Sequence, residues 1–407
     1  MMDIKSKFLD EILNCPDVEW LELGKVGTVI RGNGLQKKDF LEEGFPAIHY
    51  GQLHTIFGLS ADKSHTYISD GLANKLRKAN TNDLLIVTTS EDDNSVARPL
   101  AWFGKEVAIS GDMMMFKHSE NVKFLAYIFQ SDNFTNQKNR YVTGTKVRRI
   151  SKDNLEKILI PIPSLYIQQK IVDILDTFTT LTAELTAELT ARKQQYEYYR
   201  DELLTFGDDV EWKELNEIIL PTSNIRWQDT DSTYRYIDLS SVSRDNKKII
   251  ETTHIDAKNA PSRAQRIVEE GDVIFATTRP TLQRYTLIDS EFSGDIVSTG
   301  YCVLRAVTDI VLPKWIYYHI ASTNFNFYVE EHQSGSAYPA ISDKKVKDFK
   351  IPVPSLDEQA RVIEVLDKFD TLTNSITEGL PKEIELRQKQ YEYYRDLLLS
   401  FPKPNED

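Results

Sequence analysis

Two stretches of the chain place apolar residues at steps of three and four, the spacing that lines them along one face of an α-helix. Each stretch follows a Pro-X-Pro segment, which keeps the chain extended before the helix starts, and Ser164 and Ser355 are suitable N-caps. The narrow stripes predict two long helices that can bury each other as a coiled coil. The predicted seam consists of Ile171, Leu175, Phe178, Leu181, Leu185 and Leu189 in the first helix, and of Val362, Leu366, Phe369, Leu372, Ile376 and Leu380 in the second.

Before each of these helices the hydrophobic pattern consists of short runs rich in β-branched and aromatic residues. Residues 84–89 and 273–278 are typical of strands, and glycine, asparagine, aspartate and serine separate such runs. Helical spacing returns near 123–131 and 313–320. The pattern therefore predicts an α+β domain that occurs twice, each copy followed by a helical segment.

An internal repeat supports this organisation. Five segments of the first half return in the second: VEWLELGKV at 18–26 as VEWKELNEI at 210–218, DLLIVTTS at 83–90 as DVIFATTR at 272–279, GTKVRRIS at 144–151 as GSAYPAIS at 335–342, IPIPSLYIQQKIVDILD at 160–176 as IPVPSLDEQARVIEVLD at 351–367, and QYEYYRD at 195–201 again at 390–396. We therefore divide the chain into a first domain at 1–160, a first helical segment at 161–206, a second domain at 207–351, a second helical segment at 352–401 and a tail at 402–407.

Similarity between the halves is uneven, because the helical segments are nearly identical whereas most of the globular sequence has diverged. This pattern favours a common mounting that carries two different reading domains. The alternative is an old duplication whose loops have simply changed faster than its helices.

The first helical segment contains LTAELTAELTA at 181–191, in which Thr-Ala-Glu-Leu occurs twice in tandem. One such unit lengthens a helix by about 6 Å and rotates it by about 40° net, so the number of units could set a distance of the size of a DNA step. The plainer interpretation is that four-residue repeats only maintain the leucine stripe. In the second segment Gly379 and Pro381 interrupt the stripe, and Pro381 either kinks the helix or lies at the start of a new one.

The net charge of −13 argues at first against a nucleic-acid partner, but the two helical segments carry −7 of it, and the local placement of charge matters more than its total. Residues 135–150 contain five bases and no acid. These bases are candidate DNA contacts of the first domain: Lys138, Arg140, Lys146, Arg148 and Arg149. The second domain lacks an equivalent cluster, and its candidates are Arg279, Arg284, Lys344, Lys345 and Lys347.

The sequence carries no motif for catalysis, a cofactor or a metal. It has no Pro-Pro dipeptide, and therefore no adenine-methyltransferase signature, and no phosphate-binding loop. Its histidines and two cysteines, Cys15 and Cys302, show no metal spacing. No apolar run approaches the length of a membrane span and no signal-peptide pattern opens the chain. We expect a non-catalytic cytoplasmic protein that binds neither cofactor nor metal and does not contact a membrane.

Together, the paired domains, the two Pro-X-Pro helix starts, the TAEL tandem and the QYEYYRD helix ends resemble the specificity subunits of type I restriction-modification systems. The resemblance covers essentially the whole chain. It implies two target recognition domains, each reading one half of a bipartite, asymmetric target in double-stranded DNA. It also implies that the two long helices pair as an antiparallel coiled coil and set the gap between the halves. It also implies partners: two modification subunits that use S-adenosylmethionine to methylate adenine N6, and restriction subunits that use ATP and Mg²⁺ and cleave unmethylated DNA, in defence against foreign DNA.

Two other classes of function stay open at this point. A duplicated scaffold could gather protein partners without binding DNA, and the acidic total charge favours that interpretation slightly. A free-standing enzyme with an unrecognised site is the other alternative, although no motif supports it.

Overall fold

The computed structural model describes residues 18–375 and 377–402. Cys15, the N-terminal segment, Ile376 and most of the predicted tail lie outside the described residues. The chain forms two compact units. Unit 1 contains the chain up to Thr182 together with the segment from Arg387, and unit 2 contains Ala183–Leu386. Each unit thus combines one α+β domain with parts of both helical segments.

Unit 1 contains short strands and helices up to the start of the first long helix. Its strands are β1 (Glu19–Glu22), β2 (Gly27–Arg31), β3 (Phe45–Ile48), β4 (Ser60–Ala61), β5 (Thr66–Ile68), β6 (Lys78–Ala79), β7 (Leu84–Val87), β8 (Thr89–Ser90), β9 (Pro99–Trp102), β10 (Val107–Ile109), β11 (Met113–His118), β12 (Arg148–Arg149) and β13 (Leu159–Ile162). Its helices are α1 (Leu23–Val26), α2 (Tyr50–Thr55), α3 (Asp70–Ala73), α4 (Val122–Gln130), α5 (Asp132–Asn139), α6 (Lys152–Glu156) and the first part of α7 (Leu165–Leu203). A 3-10 turn covers Lys37–Asp39.

Unit 2 follows a similar order with fewer elements. Its strands are β14 (Trp212–Glu214), β15 (Ile219–Leu220), β16 (Tyr234–Ile237), β17 (Thr253–Ile255), β18 (Ala264–Ile267), β19 (Val273–Ala276), β20 (Tyr285–Leu287), β21 (Ile296–Ser298), β22 (Tyr301–Ala306) and β23 (Lys350–Pro352). Its helices are α8 (Leu215–Ile218), α9 (Pro313–Ala321), α10 (Thr323–His332), α11 (Asp343–Lys347) and α12 (Leu356–Asn374), and α13 (Gly379–Leu398) begins here. The 3-10 turns are Trp227–Asp229, Leu239–Ser241, Pro280–Leu282 and Ser290–Phe292.

The two domains share one sheet topology. The strand order β5-β3-β10-β6 in unit 1 corresponds to β17-β16-β21-β18 in unit 2, and both central pairs are parallel. The order β2-β11-β7-β9-β4 corresponds to β15-β22-β19-β20, with β4 as an additional edge strand. Strands β7 and β19 are buried at every residue, which explains their continuous apolar runs. The α+β fold used twice, predicted from the sequence, is confirmed.

The helix that leaves each domain is attached by a fully buried glutamine in its first turns. The side-chain oxygen of Gln168 accepts a hydrogen bond from the N–H of Asn121 at 3.0 Å, and its amide donates to the carbonyl of Pro163 at 2.9 Å. Gln359 accepts in the same way from the N–H of Leu312 at 2.9 Å. Asn121 and Leu312 are the N-cap residues of α4 and α9. The glutamine therefore fixes the long helix to the start of a core helix.

An aspartate two turns further on makes the second shared attachment. Asp176 accepts a hydrogen bond from the hydroxyl of Tyr127 at 2.6 Å and pairs with the ammonium of Lys123 at 2.7 Å. Asp367 accepts from the hydroxyl of Tyr318 at 2.5 Å. Burial raises the pKa of Tyr127 and of Tyr318, so both phenols remain protonated donors.

The end of each helical segment is attached to the domain from the opposite half of the sequence. The second helical segment ends in unit 1, and the first helical segment ends in unit 2. Within unit 1, a carboxylate oxygen of Asp396 accepts from the N–H of Asp132, the first residue of α5, at 2.9 Å. Within unit 2, Asp201 accepts from the N–H of Thr323, the first residue of α10, at 3.2 Å. A carboxylate at a helix N-terminus is favourable because it compensates the unpaired N–H groups and the helix dipole. These aspartates belong to the repeated QYEYYRD motif.

Aromatic contacts show the direction in which the helical segments pair. In unit 1 the ring of Phe178, early in α7, stacks on Tyr394, late in α13, with centroids 5.3 Å apart. In unit 2 the ring of Tyr199, late in α7, stacks on Phe369, in α12, with centroids 6.0 Å apart. The two segments therefore pair in opposite chain directions.

The second helical segment consists of two helices rather than one. Helix α12 ends at Asn374 and α13 begins at Gly379, so Pro381 is the third residue of a new helix. Its missing N–H costs nothing in a first turn, where N–H groups have no intrahelical acceptor. Gly379 has a φ of +76°, and a Cβ there would lie 2.5 Å from the carbonyl oxygen of Thr371. The tight approach to the end of α12 thus requires glycine.

Cys302 lies in strand β22, fully buried, and burial raises the pKa of its thiol to about 12. Within residues 18–375 and 377–402, no helix combines the length and the apolar character needed to cross a membrane.

Candidate nucleic-acid interface

The repeated loops GTKVRRIS and GSAYPAIS occupy equivalent places in the two units. The N–H of Ile150 donates to the carbonyl of Thr88 at 3.1 Å, and the N–H of Ile341 donates to the carbonyl of Thr277 at 2.9 Å. Each loop is thereby attached to the end of a central strand, β7 or β19. We call these two loops, residues 144–151 and 335–342, the reading loops.

Each reading loop closes on itself through the same geometry. The backbone of Thr143 forms an antiparallel β-bridge with Arg149 in unit 1, and Ser334 forms the same β-bridge with Ala340 in unit 2. Both loops begin with a glycine in the left-handed region, with φ of +104° in unit 1 and +98° in unit 2. A side chain on the first of these, Gly144, would lie 2.1 Å from the carbonyl oxygen of Val147. The glycine that opens each repeat is therefore required by the turn.

Three of the five bases predicted to contact DNA in the first domain are solvent-exposed: Arg140, Lys146 and Arg149. Arg148 is half-buried, and its guanidinium pairs with the carboxylate of Asp93 at 2.9 Å. This pair joins the reading loop to the neighbouring loop after β8. All four side chains thus lie within residues 140–149 and are exposed or half-buried.

Lys138 differs from the other four bases because its side chain is only 3% exposed. Its ammonium donates to the carbonyls of Asp93 and Val96 at 2.7 and 3.1 Å, and burial lowers its pKa. The side chain supports the loop after β8 from the inside. Sequence alone missed this, because Lys138 lies on the inner face of α5, a short helix whose polar sequence does not mark an inner face.

The candidate bases of the second domain are more scattered. Arg279 lies three residues after β19, next to the point where the second reading loop is attached, and its side chain is exposed. Its guanidinium carbon lies 4.8 Å from the centroid of the Tyr338 ring. The guanidinium of Arg284 instead donates to the carbonyls of Val242 and Ser240. Helix α11, directly after the reading loop, carries the remaining three, of which Lys344 and Lys345 are exposed and Lys347 is half-buried.

Tyr338 is a candidate site residue that charge-based reasoning overlooked. It lies in the second reading loop and is 71% exposed. The signal that could have found it is the repeat itself. Tyr338 stands at the position of Val147, in a loop that has lost the three bases of the first reading loop and gained an aromatic residue.

The predicted seam residues differ in burial along the helices. Ile171, Leu175, Val362 and Leu366 are buried in the domain cores. The residues that follow are half-buried or, for Leu372, 36% exposed, whereas Leu380 is buried. Ile376 lies outside the described residues.

A model of the type I restriction modification DNA specificity domain matches the chain twice, at residues 16–192 and 208–386. The chain belongs to this family. The type I restriction enzyme EcoR124I/EcoR124II specificity subunit of Escherichia coli is 35% identical over 98% of both chains. A putative type I restriction enzyme specificity subunit of Haemophilus influenzae, S.HindORF215P, is 28% identical over 97% of this chain and 98% of its own.

Solved structures share the fold of this specificity subunit. A chain from work on complex assembly and conformational transition of the type I R-M system superimposes with a TM-score of 0.64 over 94% of this chain and 98% of its own, at 15% identity. The S subunit from M. genitalium gives a TM-score of 0.52 over 96% and 98%, at 14% identity. As a type I specificity subunit, the chain is a DNA-recognition component and not the catalytic part of such a system.

Proposed function

We propose that each domain of this specificity subunit reads one half of a bipartite, asymmetric DNA target. The observation that carries the proposal is the contrast between the reading loops: the same backbone attachment presents exposed bases in unit 1 and an Arg279–Tyr338 pair in unit 2. Two readers with different chemistry recognise two different half-sites. We further propose that the functional divisions follow the repeat, at 1–160, 161–206, 207–351 and 352–401, and that the chain works in the cytoplasm.

The proposed DNA contacts are the exposed bases near the reading loops. Arg140, Lys146 and Arg149 serve the first domain, with Arg148 positioned by Asp93. Arg279 and the lysines of α11 serve the second, and Arg284 holds the neighbouring loop. Lys138 acts from inside the fold as a support. Phosphate contacts from these side chains supply affinity that falls with salt.

The helical segments set the gap between the half-sites in this proposal. Helix α7 is continuous from Leu165 to Leu203 and contains both TAEL units. Leu181, Leu185 and Leu189 are half-buried, whereas most of the Thr, Ala and Glu positions around them are exposed. A whole additional unit would therefore lengthen the helix and leave its apolar face nearly in phase.

Two modification subunits dock on the helical segments in this proposal. Tyr198 and Tyr393 are equivalent residues of the QYEYYRD motif, and they are 61% and 64% exposed. Each makes the same edge contact with the next tyrosine, at 5.3 and 5.4 Å between centroids. A surface that is repeated in this way fits a partner present in two copies, and exposed tyrosines are frequent anchors of protein interfaces.

The catalytic chemistry belongs to the partners. The modification subunits methylate adenine N6 in each half-site with S-adenosylmethionine, and the restriction subunits use ATP and Mg²⁺ and cleave unmethylated DNA.

Replacing Tyr198 and Tyr393 with alanine tests the proposed docking surface. The double substitution should weaken co-purification of the modification subunit, while the DNA affinity of the complex that still assembles stays unchanged. Undiminished co-purification would remove these tyrosines from the interface.

A genome-wide map of N6-methyladenine, with and without this gene, tests the proposed function. Loss of one split, asymmetric motif with a fixed gap on deletion is the expected result. An unchanged map, in cells that make this chain and its modification subunit, would contradict the proposal and favour a scaffold without sequence-specific DNA binding.

A further inference from the structure

We propose that Arg279, held over the ring of Tyr338, determines specificity in the second domain by reading a guanine of its half-site. This inference rests on the proposed function and names the residue and the base through which one of the two readers works.

The backbone at Arg279 is fixed in an uncommon conformation. Its φ of 48° and ψ of 57° lie in the left-handed region, which residues with a Cβ seldom adopt. The N–H of Arg279 donates to the carbonyl of Pro339 in the reading loop at 2.7 Å, and its carbonyl accepts from the N–H of Leu282 at 3.0 Å. Pro280 follows and is buried. Strained backbone that neighbouring contacts maintain is concentrated at functional sites.

The side chain of Arg279 is positioned without being neutralised. Its guanidinium lies over the face of the exposed Tyr338 ring at 4.8 Å. Within the described residues, no carboxylate lies within ion-pair distance of it, in contrast to Arg266, which pairs with Asp343 at 2.5 Å. A cation–π contact restricts the plane of the guanidinium but leaves its N–H donors free. Those donors match the O6 and N7 acceptors that guanine presents in the major groove.

The equivalent positions in unit 1 show that this pair is particular to the second reader. Ser90 stands where unit 2 has Arg279, and Val147 stands where it has Tyr338. In unit 1 the strand Thr89–Ser90 pairs with Arg148 and Arg149 of the reading loop, so the positive charge lies on the loop and not on the strand opposite it. The two readers therefore place their cationic groups on opposite strands of a shared scaffold, as expected if they recognise different sequences.

The test maps N6-methyladenine in cells that make the modification subunits with wild-type chain or with R279K, Y338A, Y338F or R263K. Lysine keeps the charge and the Cβ of Arg279 but lacks the planar guanidinium, so it has neither the rigid pair of donors nor the flat group that stacks on Tyr338. R279K should lower the preference for one G·C pair in one half-site by about 5- to 150-fold. The other half-site and the gap should not change. Y338A should relax the same position partly, and Y338F and the exposed control R263K should resemble wild type.

A wild-type motif that R279K leaves unchanged would overturn this inference alone, as would relaxation in both half-sites. A half-site that Y338A leaves fully selective would overturn the role of the ring. If R279K abolishes methylation, competition between duplexes that differ only at that G·C pair measures the discrimination by binding and decides the question. A wild-type map with no motif that depends on this gene would overturn the proposed function together with this inference.

Discussion

Unit 1 and unit 2 attach their helices through the same polar contacts but present different side chains at their reading loops. Gln168 and Gln359 make equivalent buried hydrogen bonds to the start of a core helix. At the bridge beside each reading loop, in contrast, Arg149 in unit 1 corresponds to Ala340 in unit 2.

The physical demands on these two regions explain the difference. A buried polar group must keep its partners, because an unsatisfied donor or acceptor costs about 1–3 kcal/mol. An exposed loop held only by backbone hydrogen bonds can exchange its side chains at little cost. The duplicated fold can thus vary its recognition chemistry without disturbing its mounting.

The largest expected effect comes from lengthening the first helical segment while both domains stay unchanged. Insertion of one further TAEL unit after Leu189 adds about 6 Å to α7, so methylation should move to a motif with a gap longer by one or two base pairs and the same half-sites. Original sites should lose nearly all methylation. A methylation map with altered half-sites and the old gap would contradict the assignment of the helix as the spacer.

Next in size is the loss of a helix attachment, which should be equal in the two units. Gln168→Ala removes the partner of the Asn121 N–H, the Pro163 carbonyl and a carboxylate oxygen of Glu120. Gln359→Ala removes the partner of the Leu312 N–H and of the Ile310 and Pro354 carbonyls. Each substitution should lower the free energy of unfolding by about 2–4 kcal/mol. Equilibrium urea unfolding measures this, and the exposed Gln194→Ala is the matched control. Clearly unequal losses would show that the mountings are not equivalent.

One core position breaks the equivalence between the units. His319 of α9 corresponds to Ile128 of α4. It is 5% exposed, its Nε2 has no hydrogen-bond partner among the residues that the structure describes, and burial lowers its pKa to about 3. The unfolded chain therefore binds a proton that the folded chain does not, and the free energy of unfolding falls as the pH drops from 6.5 towards 3.

Between pH 7 and pH 5 this histidine should account for a loss of about 2 kcal/mol. His319→Ile should remove that part of the pH dependence, as followed by urea unfolding at both pH values. Ile128→Val in unit 1 should cost about 1 kcal/mol at either pH. An unchanged pH dependence in the His319 variant would show that another group is responsible.

The smallest effects separate exposed from buried bases in the first domain. A plot of log binding constant against log salt concentration has a negative slope. Arg149→Ala should make that slope less steep by about one, because one phosphate contact is lost. Lys138→Ala should leave that slope unchanged and lower the free energy of unfolding by about 1–3 kcal/mol, because the carbonyls of Asp93 and Val96 lose their donor. A less steep slope for Lys138→Ala would place its ammonium at the DNA after all.

Sequence patterns predicted the elements well where periodicity was strong. The strand at 84–87, the core helices at 122–130 and 313–321, and the N-caps Ser164 and Ser355 all follow the expectation, with the hydroxyl of Ser355 accepting from the N–H of Glu358 at 3.3 Å. Much less of the site could be predicted. A lysine in a basic segment has the same signature whether its ammonium faces solvent, like that of Lys146, or two carbonyls, like that of Lys138.

By itself, the sequence determined the duplication, the α+β class, the helical segments and the family, because repeats and apolar periodicity are properties of the chain order. Tertiary structure alone decided that Gly379 and Pro381 start a new helix, that Lys138 is buried, and that Arg279 meets Tyr338 across 59 positions of the chain. Each of these depends on which groups the fold brings within a few ångströms of one another, and contacts between distant residues leave no local pattern in a single sequence.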